Sequence, residues 1–263
     1  NFKKPWRLVF PEDLKETAIL RFDSFGGKGM NSEKSAAKAM RKFMDKSLAK
    51  IKNERTRFLI IDVRDNGGGW DVQGTELLTY LVKADSTFPY YHRLHTLTDN
   101  SPFLKYSDLS LLDRAAVKKE LQPEADGTFS FKPNASPGLL PQEPKDNRFT
   151  GEVFILMNGN SNSTTSEFVA MAQQLKVAIF IGEEAGGAAV GGNGGSFIRY
   201  TLPNSGIYVQ VPLVYYNNAV STEVNIGRGA LPDYMVQLTL ADFLTNRDTV
   251  MEYAFDLIRA AQN

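Results

Sequence analysis

One segment constrains the fold of this chain more than any other. Residues 58–63 form a nearly continuous run of apolar and β-branched side chains, and this run leads into a glycine-rich turn at residues 66–69. A run of this length without polar alternation is typical of a strand that is buried on both faces, as in a parallel sheet. The segment therefore predicts a parallel sheet at the centre of the fold.

The segments on either side extend this prediction to an α/β fold. Residues 17–23 are predicted to form a strand, and residues 32–51 carry apolar side chains at the spacing of an amphipathic helix. After the glycine turn, residues 73–83 are again predicted to be helical. Strand, helix, strand, turn and helix in this order are the pattern of βαβ units.

The same alternation resumes in the second half of the chain. We predict a strand at residues 151–157, a helix at 168–175 and a strand at 177–181. A glycine-rich loop at 182–195 follows, then a β-hairpin of residues 197–202 and 207–214, and a closing helix at 248–261. We expect these elements to form a single core domain over residues 1–263. The start of the sequence has no initiator Met and no signal pattern, so we interpret it as a trimmed piece with a further region upstream.

Residues 84–148 differ from the rest of the chain. They are rich in Asp and Ser, with one predicted helix at about residues 108–120 and a loop rich in Pro and Gly over residues 122–144. Only short apolar runs occur in this segment. We therefore expect an inserted cap segment that covers one end of the sheet, and not an independent domain.

Composition excludes several classes of partner and cofactor. The chain has 30 Lys and Arg residues against 30 Asp and Glu residues, so it lacks the excess positive charge that nucleic acids or anionic membranes require. It has no Cys, and its only two histidines, His92 and His95, have no carboxylate pattern beside them, so we expect neither a metal nor another cofactor. No apolar run approaches the roughly 20 residues of a membrane-spanning helix.

Three turns follow predicted strands and are candidates for a site, because ligands bind at the carboxyl ends of strands in α/β sheets. These turns are residues 62–69, 158–167 and 182–187. In the second turn, Ser163 lies where a helix begins, so the helix dipole and free N–H groups favour an alkoxide-like nucleophile. Alternatively, Ser163 or Thr164 forms a capping box with Glu167 and has only a structural role.

The glycine turns leave two further interpretations. Backbone N–H groups at Gly67 and Gly68 can form an oxyanion hole, or the glycines are needed only for a turn with positive φ. The turn at residues 182–187 lacks the Lys-Ser/Thr ending of a phosphate-binding loop, so nucleotide binding is not predicted.

Together, residues 58–69, 158–183 and 229–236 resemble the tail-specific, or C-terminal-processing, serine proteases. The resemblance implies a ClpP/crotonase-like α/β core of stacked β-β-α units and cleavage of peptide bonds in a protein or peptide substrate. It places the nucleophile on Ser163, or on Thr164 in an alternative register, with Gly67 and Gly68 as oxyanion donors. It also implies a bacterial, extracytoplasmic location in the periplasm or at the cell surface.

One position departs from the family pattern. Where the lysine-dependent branch has its general base, this chain has Ala188, and no Lys follows Lys176. The chain is more similar to the tricorn-like branch, whose base is a His from the N-terminal side with an acidic partner, a role open to Glu183. That His is expected upstream of the sequence, with His92 or His95 as the alternative.

Two other functions stay open at this stage. One is a catalytically inactive homologue that binds a peptide or glycan along a sheet edge, which the missing Lys favours. The other is a crotonase-like acyl-thioester enzyme, which shares the fold and the glycine oxyanion hole. The oligomeric state is not predicted.

Overall fold

The computed structural model describes residues 5–83, 85, 87–97, 102–108, 110–223 and 225–262. Its strands and helices, in chain order, are β1 (Trp6–Val9), β2 (Thr17–Phe22), α1 (Glu33–Asn53), β3 (Phe58–Asp62), α2 (Asp71–Thr79), β4 (Tyr91–Thr96), α3 (Leu111–Glu120), β5 (Leu121–Pro123), β6 (Phe129–Phe131), β7 (Glu152–Met157), α4 (Thr164–Gln174), β8 (Ile179–Gly182), β9 (Gly191–Thr201), β10 (Tyr208–Asn218), β11 (Tyr234–Met235), α5 (Leu240–Thr245) and α6 (Thr249–Gln262). Three short 3₁₀ turns lie at Pro102–Tyr106, Pro133–Ala135 and Pro137–Leu139.

The chain divides into two compact units. The first unit contains residues 1–88, 142–189 and 220–263, and the second contains residues 89–141 and 190–219. Among the residues that the structure describes, no helix is both long and apolar enough to cross a bilayer.

A six-stranded sheet forms the centre of the first unit, in the order β1-β2-β3-β7-β8-β11. From β2 to β11 all neighbouring strands are parallel, and β1 adds an antiparallel edge. Every residue of β3 is buried, because β2 and β7 flank it and helices cover the sheet. The parallel sheet predicted from the apolar run is confirmed.

Helices pack on this sheet through apolar stripes. The closing helix α6 buries Val250, Ala254 and Ile258 against side chains of β3 and β7 such as Phe58 and Phe154. α2 lies against α1 and α4. The predicted helices are confirmed, with shifted ends: α2 begins and ends earlier than residues 73–83, and α4 begins before residue 168.

The second unit has its own antiparallel sheet, in the order β5-β6-β4-β10-β9. Strands β4 to β6 come from residues 84–148, and they join the hairpin of β9 and β10. The hairpin was predicted, but its pairing with the strands of the segment was not. Pairing between distant strands depends on tertiary contacts that a local pattern does not encode.

One boundary in this unit was predicted wrongly. Residues 191–195 were assigned to a glycine-rich loop, but they begin β9. Glycine is tolerated in this strand because another chain segment approaches closely. A Cβ on Gly195 would lie 2.1 Å from the hydroxyl of Tyr216, on the paired strand β10.

Candidate active site

Two turns leave the six-stranded sheet at the same edge. The glycine turn, residues 63–69, follows β3, and the serine turn, residues 158–163, follows β7. Because β3 and β7 are adjacent and parallel, with Asp62 opposite Leu156, both turns start at the carboxyl ends of their strands. This edge is where active sites form in α/β proteins.

Hydrogen bonds join the middle of the serine turn to the glycine turn. The fully buried Ser161 donates its hydroxyl to the carbonyl of Val63 at 2.9 Å. The next residue, Asn162, donates its N–H to the carbonyl of Asn66 at 3.1 Å. The chain is therefore fixed immediately before it reaches Ser163.

Asp65 provides a second connection. Its N–H donates to Oδ1 of Asn158 at 3.0 Å, while the amides of Asn158 and Asn160 donate to its carboxylate at 2.9 and 3.0 Å. Hydrogen bonds from Asn160 first and from Asn158 second lower the pKa of Asp65 below its ordinary value. The carboxylate thus stays ionised and holds both asparagines.

Ser163 has an unusual backbone conformation. It is the N-cap of α4, with φ 54° and ψ −132°. This lies close to a region that glycine alone occupies readily, and holding another residue there costs about 1–3 kcal/mol. Sharp strand-to-helix turns of this kind present a serine hydroxyl outward in hydrolases.

The hydroxyl of Ser163 is available for chemistry. The residue is exposed, its side chain does not cap α4, and Oγ bonds to no other residue that the structure describes. The capping-box interpretation of Ser163 is therefore wrong. The positive φ turns the side chain away from the N–H groups at the helix end that a capping serine would satisfy.

The neighbouring hydroxyls are used differently. Thr164 is buried and donates its hydroxyl to the carbonyl of Gly69 at 3.0 Å. Ser166 is also buried and donates to the carbonyl of Ser163 at 2.7 Å. Thr164 was the alternative nucleophile, and its hydroxyl holds the glycine turn against α4.

Gly68 packs directly against Ser163. It has φ 98°, and a Cβ added there would lie 2.7 Å from Cβ of Ser163 and 2.9 Å from the carbonyl oxygen of Asn162. Both the positive φ and the close approach require glycine at this position. The glycine turn therefore forms one wall of the site around Ser163.

Backbone N–H groups adjacent to Ser163 and Gly68 are candidates for an oxyanion hole. The first N–H of α4, on Thr164, and the N–H of Gly67 bond to no acceptor among the described residues. The N–H of Gly68 donates to Oδ1 of the fully buried Asn66 at 2.9 Å. Gly67 and Gly68 are the donors expected from the sequence. The N–H of Thr164 is a further candidate, because Thr164 is the first residue of α4.

The loop after β8 packs against the serine turn. Gly186 donates its N–H to the carbonyl of Ser161 at 3.0 Å, and a Cβ on Gly187 would lie 2.1 Å from Oγ of Ser166. Glu184 anchors this loop through Arg228 at 2.5 Å and through the N–H of Gly229 at 2.8 Å. These hydrogen bonds, that of Arg228 first, lower the pKa of Glu184.

The predicted acidic partner and the family's lysine position lie in the same loop. Glu183 is bound through its backbone, whose N–H donates to the carbonyl of Met157 at 3.1 Å, and its carboxylate pairs with no other described residue. Ala188 forms a backbone bridge with Gly229. A methyl side chain at position 188 supplies no base.

Both histidines lie in the second unit, on β4, whereas Ser163 lies in the first unit. His92 is exposed. The ring of His95 packs on Tyr215 with 5.2 Å between centroids, and its Nδ1 is buried without a partner among the described residues. The first unit contains no imidazole, since the chain has only these two histidines.

An ionic network around the buried Asp62 lies at the ends of β2 and β3. Asp62 accepts from Arg21 at 2.7 Å and from Arg64 at 2.8 Å, and Arg64 also binds Asp248 at 2.6 Å. Although burial disfavours its charge, hydrogen bonds to Asp62 and Asp248 raise the pKa of Arg64. The network ties the start of the glycine turn to the N-terminus of α6.

Within the described ranges, no cluster of three or more His, Asp or Glu side chains could hold a metal.

Comparison with protein families gives one match. The sequence model of peptidase family S41 matches residues 16–236. No curated protein matches the sequence significantly.

Solved structures give a second comparison. A peptidase structure from Parabacteroides merdae has a TM-score of 0.60 and 21% identity, over 98% of this chain and 65% of that one. An S41 protease from Bacteroides fragilis has a TM-score of 0.58 and 14% identity, over 100% of this chain and 60% of that one. Mature CPAF in complex with lactacystin has a TM-score of 0.56 and 15% identity, over 93% of this chain and 51% of that one. At these identities the likeness concerns the fold alone, and the chain spans less than two thirds of each of these proteins.

Proposed function

We propose, from the premise that this chain belongs to peptidase family S41, that it is a serine-type peptidase core with Ser163 as its nucleophile. The observation that carries the assignment is the conformation of Ser163. Its backbone is strained, and its exposed hydroxyl makes no structural bond. Residues with a strained backbone cluster at functional sites, and here no local hydrogen bond of the side chain compensates for the strain.

In the proposed reaction, backbone N–H groups beside this serine stabilise the charge that develops on the substrate. Oγ of Ser163 attacks the carbonyl carbon of the substrate, and negative charge develops on the carbonyl oxygen. We propose that the N–H of Thr164, at the positive end of α4, and an N–H of the glycine turn stabilise this oxyanion, since the N–H groups of Thr164 and Gly67 bond to no other described residue. We assign the second donor to Gly67 or Gly68. Each such donor contributes a few kcal/mol to the stability of the transition state.

A serine hydroxyl needs a base to accept its proton. Since Ala188 excludes the lysine of the family's other branch, we assign this role to an imidazole, with Glu183 as the candidate acidic partner. The two histidines of this sequence, His92 and His95, are tested directly by substitution with Gln.

The resemblance to C-terminal-processing proteases supports a finer assignment. We propose that the protein cleaves a protein or peptide substrate, either as an endopeptidase or near the C-terminus of the substrate. We also propose that it acts in an extracytoplasmic compartment of a bacterium. The nearly neutral net charge supports no nucleic-acid partner.

Covalent labelling tests the nucleophile. The wild-type chain is treated with a fluorescent fluorophosphonate, which phosphonylates an activated serine and releases fluoride. We expect labelling of the wild type, none for Ser163→Ala, and full labelling for Ser32→Ala. Ser32 is the matched control because it is an exposed serine at the N-cap of another helix of the same unit. Equal labelling of Ser163→Ala and wild type would show that the nucleophile is another residue.

A non-catalytic peptide-binding protein is the second candidate function, and Ala188 at the position of the lysine general base favours it. This candidate predicts that wild-type chain binds peptides and that neither wild type nor the His92→Gln and His95→Gln variants react with the fluorophosphonate. Labelling that is lost in one His variant and kept in the other would identify the base and exclude this candidate.

A further inference from the structure

The hairpin of the second unit extends beyond its sheet as a two-stranded ribbon. β4 pairs with β10 only at residues 215–218, whereas β9 pairs with β10 from Tyr208 onward. Residues 199–210 of the ribbon are exposed, apart from the half-buried Tyr200. An isolated two-stranded ribbon is marginally stable in water, so large apolar side chains on it call for an explanation.

The two faces of this ribbon differ in chemistry. Residues directly opposite each other in an antiparallel pair share a face, and the faces alternate along each strand. One face carries three apolar pairs, and we call it the apolar face: Ile198 with Val211, Tyr200 with Val209, and Leu202 with Ile207. The other face is mixed: it carries Thr201 with Tyr208, Arg199 with Gln210, and Phe197 with Pro212, and Arg199 stacks on the Tyr208 ring.

A groove lies along the apolar face. Its volume is about 540 Å³, and its lining includes Tyr200, Leu202, Val209 and Val211, with Tyr106 as a wall from outside the ribbon. Val209 is 39% and Val211 37% exposed, so these side chains reach the open groove.

The wall is fixed to the ribbon by backbone pairing. Ser107 bridges Tyr200, Asp108 donates its N–H to the carbonyl of Arg199 at 3.0 Å, and Arg199 returns an N–H to the Asp108 carboxylate at 3.1 Å. The groove is therefore a built feature, held on both sides.

Two occupants fit this groove poorly. Seven residues line the groove, whereas a stable interface with a second copy takes about 20–30 residues from each partner. An anionic membrane surface requires clustered basic residues. Here Arg199 lies on the opposite face and Lys105 rests against the Tyr106 ring.

An extended polypeptide fits better. Side chains on one face of an extended segment recur every second residue, as do the three apolar pairs. The groove volume is also within the range of roughly 300–1,000 Å³ that is usual for ligand-binding clefts. We propose that the groove binds apolar side chains of an extended polypeptide segment. That this polypeptide is a substrate rests on the proposed peptidase function. In that case the groove selects substrates with exposed apolar segments.

Peptide binding tests the proposal without requiring hydrolysis. The full chain carrying Ser163→Ala is titrated against a fluorescein-labelled twelve-residue peptide of alternating leucine and serine, and anisotropy is measured. The counter-probe has glutamine in place of leucine. We expect saturable binding of the leucine peptide only. The double variant Val209→Gln/Val211→Gln should weaken this binding at least about tenfold, since two apolar contacts in the groove are lost.

Tyr208→Gln is the matched control, because Tyr208 is the residue next to Val209 and points to the opposite face of the ribbon. Its Kd should stay within about twofold of that of the parent. Leu202→Gln provides a second groove variant, and far-UV circular dichroism with thermal unfolding identifies any variant whose hairpin is lost. Equal binding by folded groove variants and parent would overturn the proposal. So would a dimer, seen by sedimentation, that the double variant abolishes, because the occupant would then be a second copy.

The outcome separates this proposal from the peptidase assignment. If the leucine peptide binds but the wild-type chain does not react with the fluorophosphonate, the assignment of Ser163 fails and the groove stands. If Ser163 is labelled but the peptide does not bind, only the groove proposal fails.

Discussion

Ser32 and Ser163 occupy equivalent positions in two helices of the same unit, yet their environments are opposite. Ser32 has extended backbone angles, φ −158° and ψ 156°, and its hydroxyl caps α1 in a reciprocal capping box with Ser35. Ser163 has φ 54°, and its hydroxyl caps nothing. The first serine stabilises its helix, whereas the second is held in strain by the contacts of the two turns around it.

The difference shows where the stabilising contacts of Ser163 come from. The capping box of Ser32 is local, within four residues of sequence. The turn before Ser163 is held by Val63, Asp65 and Asn66, which belong to a different strand and turn. Strain at a functional residue persists only where surrounding structure over-determines it. Four predictions test this comparison.

The largest expected effect is on catalysis. Ser163→Ala should lower the rate of peptide or ester hydrolysis by at least about 10³-fold, because the nucleophile is removed. Ser32→Ala should leave kcat and KM unchanged. Steady-state kinetics of both variants measure this, and comparable losses in the two variants would remove the functional distinction between the serines.

A smaller effect concerns the wall of the site. Gly68→Ala should destabilise the protein by about 2–3 kcal/mol and displace Ser163. Alanine is strained at the positive φ of this position, and its methyl group clashes with Ser163 and with the backbone of Asn162. Gly29→Ala is the control, because Gly29 has a similar φ of 83° with nothing within 4 Å of an added Cβ. The control should cost about 1 kcal/mol and keep full labelling of Ser163. Urea unfolding gives the free energies, and equal costs would show that the close packing against Ser163 is not significant.

The sign of a stability change distinguishes the two caps. Ser163→Gly should raise the free energy of unfolding by up to about 1 kcal/mol, because glycine relieves the positive-φ strain. Ser32→Ala should lower it by about 1 kcal/mol, because a capping bond is lost. Thermal and urea unfolding report both values. A loss of stability in Ser163→Gly would mean that Ser163 is not strained.

The smallest expected effect depends on pH. The folded-state pKa of Asp65 is lowered by Asn160 and Asn158. Its contribution to stability is therefore present above the pKa of the unfolded carboxyl, about 3.9, and is lost as pH falls through the lower folded value. Asp65→Asn should lower Tm by about 1 °C at pH 7.

At a pH below both pKa values, wild type and Asp65→Asn should melt together. Asp126, in the second unit, provides a comparison, since its pKa is also lowered, first by Thr128. Asp126→Asn should not alter labelling of Ser163. A Tm difference for Asp65→Asn that grows on acidification would have the wrong sign and would contradict the role of Asp65.

Much of the architecture was visible in local patterns. The buried run at residues 58–63 predicted the parallel sheet because a strand covered on both faces must be apolar throughout. The helix at residues 32–51 and the closing helix followed from their apolar spacing. The start of α4 was missed by four residues, because its polar first turn carries no hydrophobic period.

The candidate site was predictable only in part. Ser163 and the glycine turn were identified, but the sequence left open whether the serine caps a helix. Asn66, Asn158 and Asn160 were not singled out, since an asparagine in a polar turn gives no signal of its partners. The joining of residues 84–148 with the hairpin in one sheet was likewise missed, because cross-strand pairing between remote segments depends on register and burial.

The sequence by itself determined the fold class, the family and the candidate nucleophile, because buried strands, glycine turns and the order of these motifs are local properties of the chain. Only the tertiary structure decided that the hydroxyl of Ser163 is unused and that the hairpin has one apolar face with a groove. Both depend on where distant backbone segments are placed. The φ of Ser163 is fixed by hydrogen bonds to the turn after β3, and the groove is closed by a wall whose residues lie far from the ribbon in sequence.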